Sequence, residues 1–469
     1  MIKCPNCSAD LKFNADEQQV KCQYCGSKFD PKELKIEVKK AKETETKKES
    51  KTEKKESYSG KSYNCSQCGA TLLTFDETAI TFCSYCGSQA MIESKLIKHT
   101  NPQYIIPFKA TKELCIENYK KKIKSAIFAP NYMKSDVVVS KFRGIYIPYC
   151  IYKVSCHGEV TNKGSVYSHR RGDYEYYDDY KITAEVDSDF DGMTFDVVSN
   201  LYDQFSHAIP HDFREAEPFN TNYLAGFYAD SADVENTVYE DDAEEMASEE
   251  STEYLKKYKE FRRHGCKNPT AKFKTTEKMT GMFPLYFLAV RDKTNTYVNY
   301  AVVNGQTGKV VADIPVDFKK YIIATLLISI PIFLLINWKI LLLPNQVCIF
   351  SIVAAVISLI ISVSQLHKVH LRETKAMDEG YMNKKPLTKE QKKFKVKFSE
   401  IIKQTIAIIL CVTILILNPV DDLYYYLGSI ATLLLVVWSF VNLIKEHNMM
   451  VSTKLPQLEK RGGSEYETK

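Results

Sequence analysis

The chain has 469 residues, of which 45% are hydrophobic and 26% are charged. This length predicts about three domains, and this composition excludes a chain that is disordered throughout. The formal net charge of +5 comes from 63 basic and 58 acidic residues, a balance that does not by itself indicate a nucleic-acid-binding protein.

The N-terminal segments 1–31 and 63–95 contain eight of the fourteen cysteines. The eight form four Cys-x-x-Cys motifs, two in each segment: Cys4, Cys7, Cys22 and Cys25; Cys65, Cys68, Cys83 and Cys86. One such motif presents two sulfurs to one ion, and a second motif closes a tetrahedral shell. Because no apolar signal-peptide stretch precedes Cys4, we expect reduced thiols that bind metal and not disulfides.

The cysteine pattern of each segment therefore predicts a zinc ribbon with one structural Zn²⁺, so the chain is expected to bind two Zn²⁺ ions. The two segments share their spacing and several flanking residues, among them Tyr24 with Tyr85 and Gly26 with Gly87, which indicates an internal repeat. The glycines permit a left-handed turn beside the sulfurs. A closed shell of four thiolates has no position for water, so catalysis by this zinc is not expected. Iron in a rubredoxin-like site is the competing interpretation.

Ribbons of this kind are scaffolds or bind proteins or nucleic acids, and Tyr24 and Tyr85 are candidates for stacking on bases. The second ribbon has no Lys or Arg between Cys65 and Glu93, so we expect it to bind a protein through an exposed edge at Leu72, Leu73 and Phe75. Residues 32–62 contain mostly Lys, Glu, Thr and Ser. This composition predicts a disordered linker, so the two ribbons are expected to fold independently.

Residues 97–318 predict a cytoplasmic α+β domain. Thr111 is a helix cap, a second helix spans 240–264 and ends at Gly265, and strands are predicted at 144–154, 181–186, 284–291, 296–303 and 309–314. Three motifs that suggest ligand sites are rejected. Residues 305–309 are a hairpin turn because no helix follows, residues 187–198 lack the last calcium ligand, and Pro210 separates His207 from His211.

Four apolar runs then predict a four-helix transmembrane region at 319–446, since about twenty helical residues cross a bilayer. These runs are 321–338, 340–367, 404–420 and 423–444. The loop 367–403 is rich in Lys and is therefore expected in the cytoplasm. The sequence thus predicts a multi-pass protein of the cell membrane, in contact with the lipid bilayer, with both termini and the tail 447–469 in the cytoplasm.

Together these features make the chain similar to a group of uncharacterised bacterial zinc-ribbon membrane proteins, often labelled TFIIB-type zinc ribbon or primosomal helicase-like. The stretches that carry the resemblance are the cysteine motifs and three others: YIPYCIYKV at 146–154, YLAGFYADSADV at 223–234 and YAVVNGQTGKVVADIPV at 300–316. The resemblance covers nearly the whole chain and implies this architecture. It implies no reaction, because the chain has no Walker-type phosphate loop.

We therefore expect a zinc-binding, non-enzymatic adaptor or sensor at the membrane, whose ribbons recruit a cytoplasmic protein partner. The first alternative is a membrane-tethered nucleic-acid-binding protein that uses the ribbons. The second is a transport or assembly component built on the apolar helices. Strongly salt-dependent binding of DNA or RNA would favour the first alternative.

Overall fold

The structure is a computed structural model that describes residues 2–34, 57–75, 80, 82–89, 91–201, 203–291, 297–339, 344–374, 398–417 and 422–454. Most of the predicted linker, the centre of the basic loop and the end of the tail lie outside the described residues. The last part of the predicted linker, from Ser57, is a β-strand and not a disordered segment.

The described helices are α1 (Lys112–Ser125), α2 (Asp136–Val139), α3 (Asp203–Ala208), α4 (Glu240–Leu255), α5 (Lys259–Arg263), α6 (Phe318–Lys339), α7 (Pro344–Thr374), α8 (Phe398–Leu417) and α9 (Asp422–Val451). The described strands are β1 (Leu11–Asn14), β2 (Gln19–Cys22), β3 (Lys28–Phe29), β4 (Ser57–Cys65), β5 (Thr71–Thr74), β6 (Met91–Thr100), β7 (Tyr104–Ile105), β8 (Arg143–Arg171), β9 (Tyr174–Asp196), β10 (Glu217–Pro218), β11 (Tyr228–Asp230), β12 (Lys274–Arg291), β13 (Tyr297–Asn304), β14 (Val310–Ala312) and β15 (Thr453–Lys454).

Two sheets organise the strands. The first ribbon is a three-stranded sheet in the order β1-β2-β3. The second sheet has the order β10-β7-β12-β8-β11-β5-β4-β6, with β9 on β8 and with β13 on β12, β14 and β15. The strands of the second ribbon therefore lie at one side of the large sheet, joined to it where β5 pairs with β11 through Leu72 and Asp230.

Local sequence explains the ends of the helices. The Thr111 hydroxyl accepts a hydrogen bond from the Leu114 N–H at 3.2 Å, so the predicted cap of α1 is confirmed. The predicted helix over 240–264 is two helices, α4 and α5. Gly265 follows the second of them with φ +69°, a left-handed conformation that glycine adopts at low cost.

Strands β8 and β9 form one long hairpin. Gly172 has φ +64° in the turn between them. The half nearer the core packs against β12 and α4, whereas the half nearer the turn is largely exposed on both faces. The predicted strands at 144–154 and 181–186 are thus parts of much longer strands, because distal residues without apolar alternation also pair across the hairpin.

The predicted four-helix transmembrane region is wrong. Among the residues that the structure describes, one helix, Cys348–His370, is long and apolar enough to cross a membrane, with 23 residues and a mean hydropathy of 2.4. The apolar segment Ile408–Leu417 is shorter, about 15 Å of helix against a hydrocarbon core of about 30 Å. The large sheet contains most of the strands of the described residues. A multi-pass location in the cell membrane is therefore not supported.

Candidate metal centres and the surfaces around them

The first ribbon brings its four predicted ligands together. The sulfurs of Cys4 and Cys25 lie 3.7 Å apart and those of Cys7 and Cys22 lie 3.4 Å apart. Strands β1 and β2 place them, since their pairing sets Leu11 opposite Cys22 and carries the chain back from the first motif to the second.

The second ribbon repeats this geometry. The sulfurs of Cys65 and Cys86 lie 3.6 Å apart, and so do those of Cys68 and Cys83. All eight cysteines are free thiols, and within each centre the four sulfurs lie within 4.8 Å of one another.

These distances fit zinc. A tetrahedral Zn²⁺ site with Zn–S bonds of about 2.3 Å has sulfur–sulfur edges of about 3.8 Å. Four thiols in this arrangement suit a structural ion with no open position. The two centres of four cysteines therefore fit two structural zinc ions, one in each ribbon.

Each Cys-x-x-Cys turn is closed by the same two backbone hydrogen bonds. In the motif that begins at Cys83, the Gly87 N–H donates to the Cys83 carbonyl at 2.9 Å and the Cys83 N–H donates to the Ser88 carbonyl at 2.7 Å. The residue after each motif is left-handed, with φ between 60° and 75° at Ser8, Gly26, Gly69 and Gly87. The left-handed turn predicted at Gly26 and Gly87 is thus confirmed.

The two centres differ in their exposure to solvent. In the first ribbon Cys25 is exposed and Cys7 is partly exposed, whereas all four cysteines of the second ribbon are buried. Hydrogen bonds from Ser27 lower the pKa of the Cys25 thiol to about 6, which favours the thiolate that a metal binds. Beside it, the Tyr24 side chain is 85% exposed.

The second ribbon is part of the domain core, and this corrects the surface predicted for it. Leu72 and Leu73 are 0% exposed and Phe75 is 5% exposed, because their side chains pack into the core clusters of the domain. Strand β5 also pairs with β4 on one side and with β11 on the other, so it has no free edge. The predicted partner-binding edge therefore does not exist as a free surface. Tyr85 is also 0% exposed, so it cannot stack on bases.

Polar contacts fix the second ribbon to the domain. The Tyr85 hydroxyl donates to the Asp230 carboxylate at 2.5 Å, and burial raises the pKa of Asp230 to about 7. The Arg291 guanidinium donates to the Cys86 carbonyl at 2.6 Å and to the Gln67 side-chain oxygen at 2.7 Å. Sequence reasoning did not identify Asp230 or Arg291, since both are distant in the chain from the cysteines that they support.

The first ribbon also packs on the domain, through one of its faces. The Phe13 ring lies 5.3 Å from the Tyr223 ring, and the Phe13 N–H donates to the Ala225 carbonyl at 2.9 Å. Asn222 donates to the Pro31 and Leu34 carbonyls, both at 2.8 Å. The apolar residues of this ribbon belong to the same core cluster as Phe108 and Tyr146. These shared contacts indicate that the ribbon does not fold independently of the domain, contrary to the expectation from the sequence.

The motifs rejected in the sequence analysis lie away from both metal centres. Residues 305–309 form the turn between β13 and β14, and Asp187 and Asp189 pair with His157 on the hairpin surface. His211 is buried and its Nε2–H donates to the Pro284 carbonyl at 3.1 Å. Among the described residues, only the two groups of four cysteines bring three or more metal-ligating atoms within 4.8 Å of one another.

Comparisons with known proteins agree with the presence of a zinc ribbon in this chain. Residues 4–28 match the family described as the PriA DNA helicase Cys-rich region (CRR) domain. YdjG of Bacillus subtilis (strain 168), described as an uncharacterized protein, is 26% identical over 325 residues, which are 67% of this chain and 90% of YdjG. No solved structure matches the chain significantly. The geometry and these similarities together support a zinc-ribbon protein.

Proposed function

We propose that the chain is a non-enzymatic adaptor whose first zinc ribbon binds a protein partner. The observation that carries the proposal is the solvent-exposed Tyr24, which projects from the second cysteine motif of that ribbon at 85% exposure. Another part of the ribbon, around Phe13, packs on the domain. Exposed tyrosine on a rigid, metal-held turn is typical of residues that dominate protein interfaces. The apolar helix Cys348–His370 is the candidate membrane anchor of such an adaptor.

Ion pairs of two of the four lysines of the first ribbon favour a protein over a nucleic acid. Lys3 pairs with Asp10 at 2.7 Å, and Lys28 pairs with Glu17 at 2.7 Å. Lysines that are already paired with carboxylates contribute little to phosphate binding, which depends on uncompensated positive charge.

Nucleic-acid binding is the second candidate, and a specific observation supports it. The matched family is named after the Cys-rich region of a DNA helicase, and the match covers the ribbon that exposes Tyr24. An exposed tyrosine ring is also a platform on which a base of a single strand stacks. The two candidates therefore use the same surface and need a test that separates them.

A photo-crosslinking amino acid at position 24 of the full chain, activated in cells, provides this test. The adaptor proposal predicts a crosslinked product whose size nuclease does not change and which is absent when the probe stands at position 174 on the β8–β9 hairpin. In parallel, the purified chain should bind labelled DNA at about 10⁻⁴ M or more weakly at physiological salt. Micromolar, salt-sensitive DNA binding that Tyr24→Ala abolishes and Tyr174→Ala retains would establish the second candidate.

A further inference from the structure

A groove of about 570 Å³ lies between β9 and the helices α4 and α5. This volume is within the range of small-molecule sites, about 300–1,000 Å³. It is far in the chain from the cysteine motifs, and neither zinc centre contributes a residue to it. Its chemistry therefore needs a separate explanation.

The walls of the groove are apolar. Ile182 and Val186 line it from β9, and Leu255 and Phe261 line it from the two helices. These side chains belong to the cluster that joins the hairpin to α4 and α5. Burying a hydrocarbon or aromatic body against them is favourable at about 25 cal/mol per Å² of apolar surface.

The charge of the groove is negative. Glu185, Asp187 and Glu260 line it, and no Lys or Arg is among the lining residues. Within the described part of the chain, Glu185 and Glu260 form no ion pair, whereas Asp187 contacts His157 at 2.5 Å. An anionic ligand would be repelled by these carboxylates, and a cationic one would be attracted to them.

The rim of the groove carries two exposed aromatic rings. Tyr254 is 55% exposed and Tyr258 is 61% exposed. The Lys257 ammonium already lies 4.6 Å from the centroid of the Tyr254 ring, so this ring accepts a cation in the position that cation–π attraction requires. The Tyr254 ring is therefore a position for a cation at the rim, which Lys257 occupies in the structure.

We propose that this groove is a binding site for a hydrophobic organic cation, a molecule with an apolar or aromatic body and one quaternary or delocalised positive charge. The apolar walls receive the body, and the carboxylates with the tyrosine rings receive the charge. Lys257 competes for the same position on the rim. The site is independent of the ribbons, so it does not depend on which partner the ribbons bind.

Titration of the purified full chain with tetraphenylphosphonium and with tetraphenylborate tests the proposal, because the two ions have the same shape and opposite charge. We expect saturable binding of the cation at one site, at least about tenfold tighter than the anion. Tyr258→Ala and Glu260→Gln should each weaken the cation about threefold. Lys257→Gln should tighten it, since the competing charge is removed.

Glu249→Gln is the matched control, because Glu249 is an exposed carboxylate of α4 that does not line the groove. This variant should bind the cation as the unchanged chain does. Thermal unfolding of all four variants shows whether each is folded. Equal affinity for the two ions, or unchanged affinity for the cation in folded Tyr258→Ala and Glu260→Gln chains, would overturn the proposal.

Discussion

Buried titratable residues of the large domain make its stability depend on pH. Burial lowers the pKa of His211 to about 4, while the unfolded chain has the ordinary value of about 6.5. Between these values the unfolded state binds more protons than the folded state. His211 therefore contributes stability above about pH 6.5 that is lost as the pH falls to about 4.

The variant His211→Gln isolates this effect, because glutamine can still donate to the Pro284 carbonyl and does not titrate. We expect the free energy of unfolding of the original chain to fall by about 3 kcal/mol more than that of the variant between pH 7 and pH 4. Denaturant unfolding followed by tyrosine fluorescence measures the free energy of unfolding of both proteins at each pH. Asp230, whose pKa is raised to about 7, makes the folded state more stable as the pH falls, which is the opposite effect. It is present in both proteins, so it does not change the difference between them. Parallel curves of unfolding free energy against pH would contradict the expected role of His211.

At the level of elements, the first ribbon is held to the large domain by the face of β1. Phe13 is 6% exposed and packs on Tyr223. Replacing a buried phenylalanine by alanine costs about 3–5 kcal/mol. Phe13→Ala should therefore lower the unfolding midpoint of the whole chain, with Lys21→Ala on the exposed side of β2 as control. If the domain midpoint were unchanged, the ribbon would be energetically separate.

The same elements show what the sequence can predict. The cysteine spacing predicted both metal centres because the geometry of each turn depends on residues that are close in the chain. The position of the second ribbon depends on the pairing of Leu72 with Asp230, a contact between distant residues that no local pattern encodes. Hydropathy alone likewise predicted four membrane helices, where the described residues contain one helix that is both long and apolar enough.

At the scale of the whole molecule, the C-terminal helix is joined to the sheet domain. The Asn448 side chain exchanges two hydrogen bonds with the backbone of Val316, at 2.8 and 3.0 Å. Just after it, β15 pairs with β13, and Ser452 lies 2.6 Å from Asn299. Helix α9 is therefore attached at its C-terminal end to the domain whose core contains the second ribbon.

Both ribbons pack on the large domain, but one metal centre has an exposed cysteine and the other is fully buried, and the release of zinc to a chelator distinguishes the two centres. We expect two phases of one zinc each. The centre with the exposed Cys25 should release its ion first, and the fully buried centre should release its ion about tenfold or more slowly, because its sulfurs become accessible only when the large sheet opens. The variant Cys25→Ser should lose the fast phase and retain the slow one. Release of both ions in a single phase, or a fast phase that persists in Cys25→Ser, would contradict this assignment of the two ribbons.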